Sequence, residues 1–258
     1  MIAVCVKWIG DPIATGLSPA DEAAIEIALQ HGEHAGSAVV AVTVGDKSAD
    51  RGLRLALACG ARTAIRVDAP RHLDSAAVAS ALAPVVAHSE AIWCGDYSFD
   101  RGTGSVPVFL AAELQRQQAL GLVGVELGQA LRVTRRLDGG RREVLRITAP
   151  SVLSVEGSIA RLRRAGLRPA LSAQTTEVLP YGTTVAPRDS TAPVTVHPFR
   201  PRARVLPGPV GGTLDRVRAL ADSTTTRQHG ETIEAEPSEA AGRIIAALQH
   251  WGYLELSD

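Results

Sequence analysis

Asp100, Gly102, Thr103, Gly104 and Ser105 lie close together in the stretch Ile92 to Pro107, Ile-Trp-Cys-Gly-Asp-Tyr-Ser-Phe-Asp-Arg-Gly-Thr-Gly-Ser-Val-Pro. The glycines let a backbone approach a ligand, the hydroxyls can donate to it, and the carboxylate can hold the loop or accept from a ribose hydroxyl. A short apolar run precedes the loop, and a helical pattern from Val108 to Gln118 follows it. Strand, loop and helix in that order present unpaired N–H groups and a partial positive charge, which suit a phosphate. One reading is a nucleotide phosphate cradle formed by Gly95, Asp100, Gly102, Thr103, Gly104, Ser105 and Val106, with Val6, Val42 and Val44 on the adenine side. The other is a plain strand-to-helix loop with Thr103 or Ser105 as N-cap. The spacing is not G-x-x-x-x-G-K-[ST], so the loop is not a P-loop.

Other chemistries find little support. No nucleophile stands near a base, and no paired carboxylates form a hydrolytic arrangement, so the chain is not expected to be an enzyme. His31 and His34 fall where a helix should end, at Gly32 and Gly36, and read as a solvated helix end rather than a metal site. Cys5, Cys59 and Cys94 have apolar neighbours and no C-x-x-C, as expected of buried, reduced, inert thiols in a cytoplasm. The 258 residues are 45% hydrophobic and carry zero formal net charge. That is enough for a full core and lacks the electrostatic footprint of a nucleic-acid binder. The arginines at 161, 163, 164 and 168 read as a solvated face. No apolar run reaches the roughly 18 residues of a membrane helix.

The elements that must position the loop alternate. Met1 to Ile9 reads as a central strand buried on both faces. Ser18-Pro19-Ala20-Asp21-Glu22 gives an N-cap, a proline at the first turn and two acids ahead of a helix. Strands at Ala38 to Val44, Thr63 to Val67 and Ala91 to Cys94 alternate with helices at Lys47 to Cys59 and Ser75 to His88. This is the spacing of right-handed crossovers in a doubly wound, mostly parallel, Rossmann-like α/β sheet. Strand candidates at 122–127, 130–137, 142–147 and 151–155, with the turn Asp138-Gly139-Gly140, predict a β-hairpin extension at the sheet edge. The expected organisation is a nucleotide-binding domain over 1–180 and an extended arm over 181–258. Prolines recur from Pro180 to Pro209. Leu214 to Leu220 reads as a short helix, Asp222 to Gly230 as a turn and Glu231 to Ala235 as a short strand. The arm ends in a helix from Ala240 to Trp251, whose Ile244, Ile245, Leu248 and Trp251 form an apolar stripe suited to a partner chain or to its own core.

Taken in order, these blocks resemble the beta subunits of electron transfer flavoproteins. Val4-Cys5-Val6-Lys7 with Asp11 is similar to that family's opening Val-Cys-Val-Lys and aspartate. Ser18-Pro19-Ala20-Asp21-Glu22 stands where the family has Asn-Pro-Phe-Asp-Glu. Leu53 to Ala61 resembles Leu-Arg-x-Ala-Leu-Ala-Met-Gly-Ala. Gly95 to Asp100 resembles Gly-Lys-Gln-Ala-Ile-Asp, Leu145 to Pro150 a later Leu-Arg-x-x-x-Pro, and Arg227 with Gly230 an Arg-x-x-Gly near the end.

The resemblance implies a heterodimer whose homologous alpha subunit carries most of an FAD, while the beta subunit binds a structural AMP at the loop. It implies cofactor-facing positions at Cys5, Val6, Ser18, Ala20, Asp21 and Val44 besides the loop. It also implies a recognition segment for dehydrogenase donors, with Leu167 as anchor between Arg164 and Arg168. The family's Asn-Pro-Arg/Asn-Glu-Pro-Arg-Tyr is here Ala160-Arg161-Leu162-Arg163-Arg164. Arg101-Gly102 replaces Gly-Asp, Ser105 replaces Gln, and Ala20 replaces an aromatic that often approaches the flavin. These departures leave AMP, a second FAD or neither at the loop, and fit a divergent subgroup such as the beta subunits encoded with mycofactocin-dependent dehydrogenases. The alternative from another class is a stand-alone adenine-nucleotide sensor of the universal-stress type, against which the long arm argues.

Overall fold

The computed structural model describes residues 1–10, 15–70, 73–148, 150–182, 211–221 and 234–253. Strand β1 (Ile2–Cys5) is buried along its length. Ile2 and Val4 join one apolar cluster while Ala3 and Cys5 join another, the period-two division of a strand covered on both faces.

The apolar run to Ile9 is not one strand. Val6 makes a ladder bond to Val42 (2.9 Å) and takes the Thr43 hydroxyl on its carbonyl (2.8 Å), but the Lys7 N–H bonds the Asp21 carboxylate instead of the sheet. The chain leaves the ladder there. Ile9 and Gly10 form β2 (Ile9–Gly10), a separate antiparallel pair with β3 (Thr15–Gly16).

Helix α1 (Pro19–Ala35) starts as its sequence dictates. The Ser18 hydroxyl accepts from the Asp21 N–H at 3.0 Å, and Gly36 closes the helix in the left-handed region. Then come β4 (Val39–Gly45), a short 3-10 turn Lys47–Ala49, α2 (Asp50–Cys59), β5 (Thr63–Asp68), α3 (Ser75–Val86), β6 (Ala91–Gly95) and α4 (Val106–Glu113). β4 lies parallel to β1 with β5 beyond it, and after α3 the chain returns to place β6 on the other side of β1. Helices α1 and α2 supply residues to the cluster on one face, α3 and α4 to the cluster on the other. This reversal of direction makes a switch point beyond the carboxyl ends of β1 and β6, where open α/β sheets bind ligands.

Helix α4 is shorter than its apolar pattern suggests. It stops at Glu113, Gln115 takes a positive φ of 51°, and Gln117 already belongs to β7 (Gln117–Glu126). β8 (Leu131–Arg136) and β9 (Arg142–Ile147) extend β7 as antiparallel edge strands, joined through Gly139 and Gly140 at positive φ, and β10 (Ser151–Val155) runs parallel between β6 and β7. α5 (Leu167–Thr175) and β11 (Leu179–Tyr181), parallel to β5, complete a nine-stranded sheet of order β11-β5-β4-β1-β6-β10-β7-β8-β9. The fold is α/β, doubly wound and mostly parallel, with the antiparallel extension at one edge.

Two compact units divide the chain, Met1–Val194 and Thr195–Asp258. In the second, α6 (Thr213–Ala221) and α7 (Pro237–His250) are described. The turn expected at Asp222 to Gly230 and most of the proline-rich stretch lie outside the described residues. So does the start of the strand expected at Glu231 to Ala235, of which Glu234 and Ala235 are not in a strand. Among the described residues no helix is long and apolar enough to cross a membrane.

Candidate functional site

A cleft of about 500 Å³ opens at the switch point. Of the positions singled out in the sequence, Cys5, Val6, Asp21, Val44, Gly95, Asp100, Thr103, Gly104, Ser105 and Val106 line it. At one end three hydroxyls meet: Ser105 Oγ lies 2.9 Å from Ser75 Oγ and 3.0 Å from Thr103 Oγ1. Ser75 is the first residue of α3 and Ser105 directly precedes α4, so two helix starts converge on this end. No side chain caps α4, which leaves its first N–H groups for a ligand, although Pro107 removes one of them. Val6, Val44, Val78 and Leu82 supply an apolar wall.

The loop is shaped by close backbone approach. A Cβ on Gly104, which has φ +57°, would stand 2.1 Å from the Asp96 carbonyl oxygen, and Gly102 donates its N–H to the Ser98 carbonyl at 2.9 Å. Arg101 donates to the Leu73 carbonyl at 2.8 Å, tying the loop to the start of α3. Asp100 pairs with Lys7 at 2.6 Å. Burial alone would raise its carboxyl, but hydrogen bonds from Lys7 and Ser98 and the Lys7 charge hold it down at about 2. Its partner is thus a cation at the end of β1.

Ser18, Ala20, Gly102 and Val42 are not on the cleft wall. Ser18 and Ala20 are fully buried where α1 meets two glycines: a Cβ on Gly95 would lie 2.9 Å from the Ala20 backbone, and one on Gly157 2.7 Å from Pro19. Val42 is sealed inside the sheet. Asp21 sits at the junction. Burial raises its carboxyl to about 7, opposed by hydrogen bonds from the Ser18 hydroxyl and the Lys7 and Ser18 N–H groups. Lys7, Trp8, Asp46, Ser48 and Ser75 line the cleft without having been singled out. Ser75 was within reach of the sequence, because Asp74-Ser75 opens a helix after a parallel strand just as the Gly102 to Ser105 loop does.

The family model of the electron transfer flavoprotein domain matches residues 13–180. Protein FixA of Rhizobium meliloti (strain 1021) is 29% identical over 210 residues, covering 70% of this chain and 71% of the relative. Electron transfer flavoprotein subunit beta of Dictyostelium discoideum is 27% identical over 170 residues, 64% of this chain and 68% of that one. The same subunit of Methylophilus methylotrophus is 32% identical over 137 residues, 50% and 52% of the two chains. The chain is a divergent member of the electron transfer flavoprotein beta family.

Within that family member, side chains from α1 and α2 anchor the segment before α5 and the end of α5. Arg163 is not a solvated cation. Its guanidinium meets Glu26 at 3.0 Å and also bonds Glu33, and its N–H donates to Glu26 at 3.0 Å. Burial pushes the Glu26 carboxyl up, and its bonds to Arg163 and Gln30 more than reverse this. Beyond the segment, Arg54 donates to the carbonyls of Ala173 (2.6 Å) and Gln174 (2.8 Å) at the end of α5. Leu167, the first residue of α5, is 77% exposed, with Arg164 and Arg168 exposed beside it. On α7 Ile244 and Ile245 are exposed and Leu248 half-buried, and Trp251, which caps the helix, is exposed. His31 is no solvated helix end either: it accepts from the buried Trp93 indole at 3.2 Å. No group of His, Cys, Asp and Glu suited to a metal is present among the described residues.

Proposed function

We propose that this chain is the beta subunit of a heterodimeric electron transfer flavoprotein. It joins a homologous alpha subunit that holds most of an FAD, keeps an AMP in its own cleft, and relays electrons from partner dehydrogenases to a downstream acceptor. The observation that carries the reading is the cleft at the switch point, where two helix starts, the Ser75–Thr103–Ser105 hydroxyls and the glycine loop converge. The fit to a phosphate rests on the uncapped start of α4 and on Gly104, whose missing side chain lets the loop backbone turn inward. Thr103, Ser105 and the Val106 N–H would hold the phosphate, and Val6 and Val44 would flank the base. FAD, when bound, supplies the redox centre. This chain's part is to position and shield it, with no residue assigned to catalysis. Leu167 would anchor the donor, flanked by Arg164 and Arg168, and the stripe Ile244, Leu248 and Trp251 would meet the alpha subunit.

The test is to co-purify the heterodimer, heat-denature it and identify what is released. One FAD and one AMP per heterodimer are expected. Absence of flavin overturns the carrier reading, and absence of any adenine nucleotide beyond the FAD overturns the assignment of the cleft.

A further inference from the structure

Cys5 and Cys94 end two adjacent central strands, and they are register partners across the β1–β6 pair. In parallel strands such partners point to the same face, and both side chains belong to the cluster beneath α3 and α4. Both are free thiols, 7% and 4% exposed, yet both border the cleft. Asp21 lies close enough to act on Cys94, and the neighbouring Cys5 thiol, then burial, push the Cys94 thiol up. The two thiols therefore stand side by side at the cleft floor.

Two features decide what such a pair can take. Register partners on neighbouring strands have Cα atoms about 4.8 Å apart, and parallel side chains keep roughly that separation. A disulfide needs Cβ atoms about 3.8 Å apart. Closing one here would need the two Cβ atoms to draw roughly 1 Å closer than the register sets them. A single bridging atom spans the gap without moving the strands. No third His, Cys, Asp or Glu joins the pair into a metal cluster among the described residues, so a tetrahedral zinc site lacks its ligands. A centre satisfied by two thiols remains.

We propose that Cys5 and Cys94 form a two-thiol site at the cleft floor that binds a thiophilic centre of the trivalent arsenical class. With phenylarsine oxide as probe, each thiol replaces half of the As=O bond. Two As–S bonds form, both thiol protons leave with the oxygen as water, and nothing is oxidised or reduced. Cys59 takes no part, since its thiol donates to the Arg163 carbonyl at 3.4 Å on the opposite face of the sheet.

The experiment incubates the full chain with phenylarsine oxide and reads the intact mass. One phenylarsenic per chain is expected, stable to a monothiol wash and removed by a 1,2-dithiol. Cys59→Ser should bind as the parent does, while Cys5→Ser and Cys94→Ser should lose the stable adduct. Should a variant misfold, the parent alone still answers: unfolding the adduct and alkylating free thiols should label Cys59 and leave Cys5 and Cys94 blocked. No adduct on the folded parent, or an adduct that leaves either Cys5 or Cys94 open to alkylation, overturns the site. The chain is freed of any bound nucleotide before the incubation, so that an occupant of the cleft does not shield the thiols.

Discussion

Asp21 is a buried carboxylate at the edge of the cleft. Its carboxyl is raised from 3.8 to about 7, with burial outweighing the donors from Ser18 and Lys7. The sign of the consequence follows from linkage. Between those two values the folded chain keeps a proton that the unfolded chain has lost, so stability falls as pH rises, by about 1.4 kcal/mol per pH unit at most. Below 3.8 the cost is absent, and above 7 it is complete. Asp21→Asn keeps an acceptor for the N–H groups and removes the titration. The difference in stability between Asn and parent should grow in favour of Asn from pH 5 to 7 and then level off, as read by urea melts across that range. A flat difference would refute the buried titration. Leu167 is the opposite case, an apolar side chain that the protein's own fold leaves 77% exposed. Removing it costs no core. Leu167→Ala should leave melting and flavin content unchanged and slow electron uptake from the donor severalfold at subsaturating carrier, in keeping with a partner-covered anchor. Equal rates would remove it from the docking surface.

At the scale of elements, the crossover pattern was legible because it is carried by local physics. Buried strands read as continuous apolar runs, Ser18-Pro19 marks a helix start, and Gly36 and Gly60 mark helix ends. Two boundaries were not legible. Helix α4 ends without glycine or proline, at Gln115 forced to φ 51° because the chain must turn into β7. Strand β1 ends inside an apolar run because Asp21, far along the chain, takes the Lys7 N–H. The same limit applies at the site: the glycine loop announced itself, whereas the buried seam around Ser18 and Ala20 exists only through the later approach of Gly95 and Gly157. Within the loop, Gly104 is the position where geometry leaves least room. Gly104→Ala places a methyl on the Asp96 carbonyl in a backbone region that alanine avoids. At Gly139, also at positive φ, nothing lies within 4 Å of the added atom. Gly104→Ala should lose most of the released AMP while Gly139→Ala retains it, with both variants keeping the parent's far-UV dichroism. Equal AMP content in the two would detach the loop from nucleotide binding.

At the scale of the whole molecule, the question is what joins this chain to another. The first unit has its own two-sided core, from Ile2 and Trp93 on one face to Val42 and Leu82 on the other. Helix α7 buries none of its residues, and Ile244, Ile245 and Trp251 remain 61%, 48% and 63% exposed. A stripe of that kind at helical spacing is what a partner's groove covers. Burying each such side chain contributes on the order of 1.5 to 3 kcal/mol before ordering and association costs. A chain ending near Asp222 should therefore fold, since every strand of the main sheet precedes that point. It should melt within a few degrees of the parent's isolated beta chain, yet fail to co-elute with the alpha subunit on size exclusion and leave the complex without its yellow colour. Ile244→Ser with Trp251→Ser in the full chain should weaken association in the same direction without removing any backbone. A shortened chain that still co-elutes with a flavin-loaded partner would place the interface on the first unit instead.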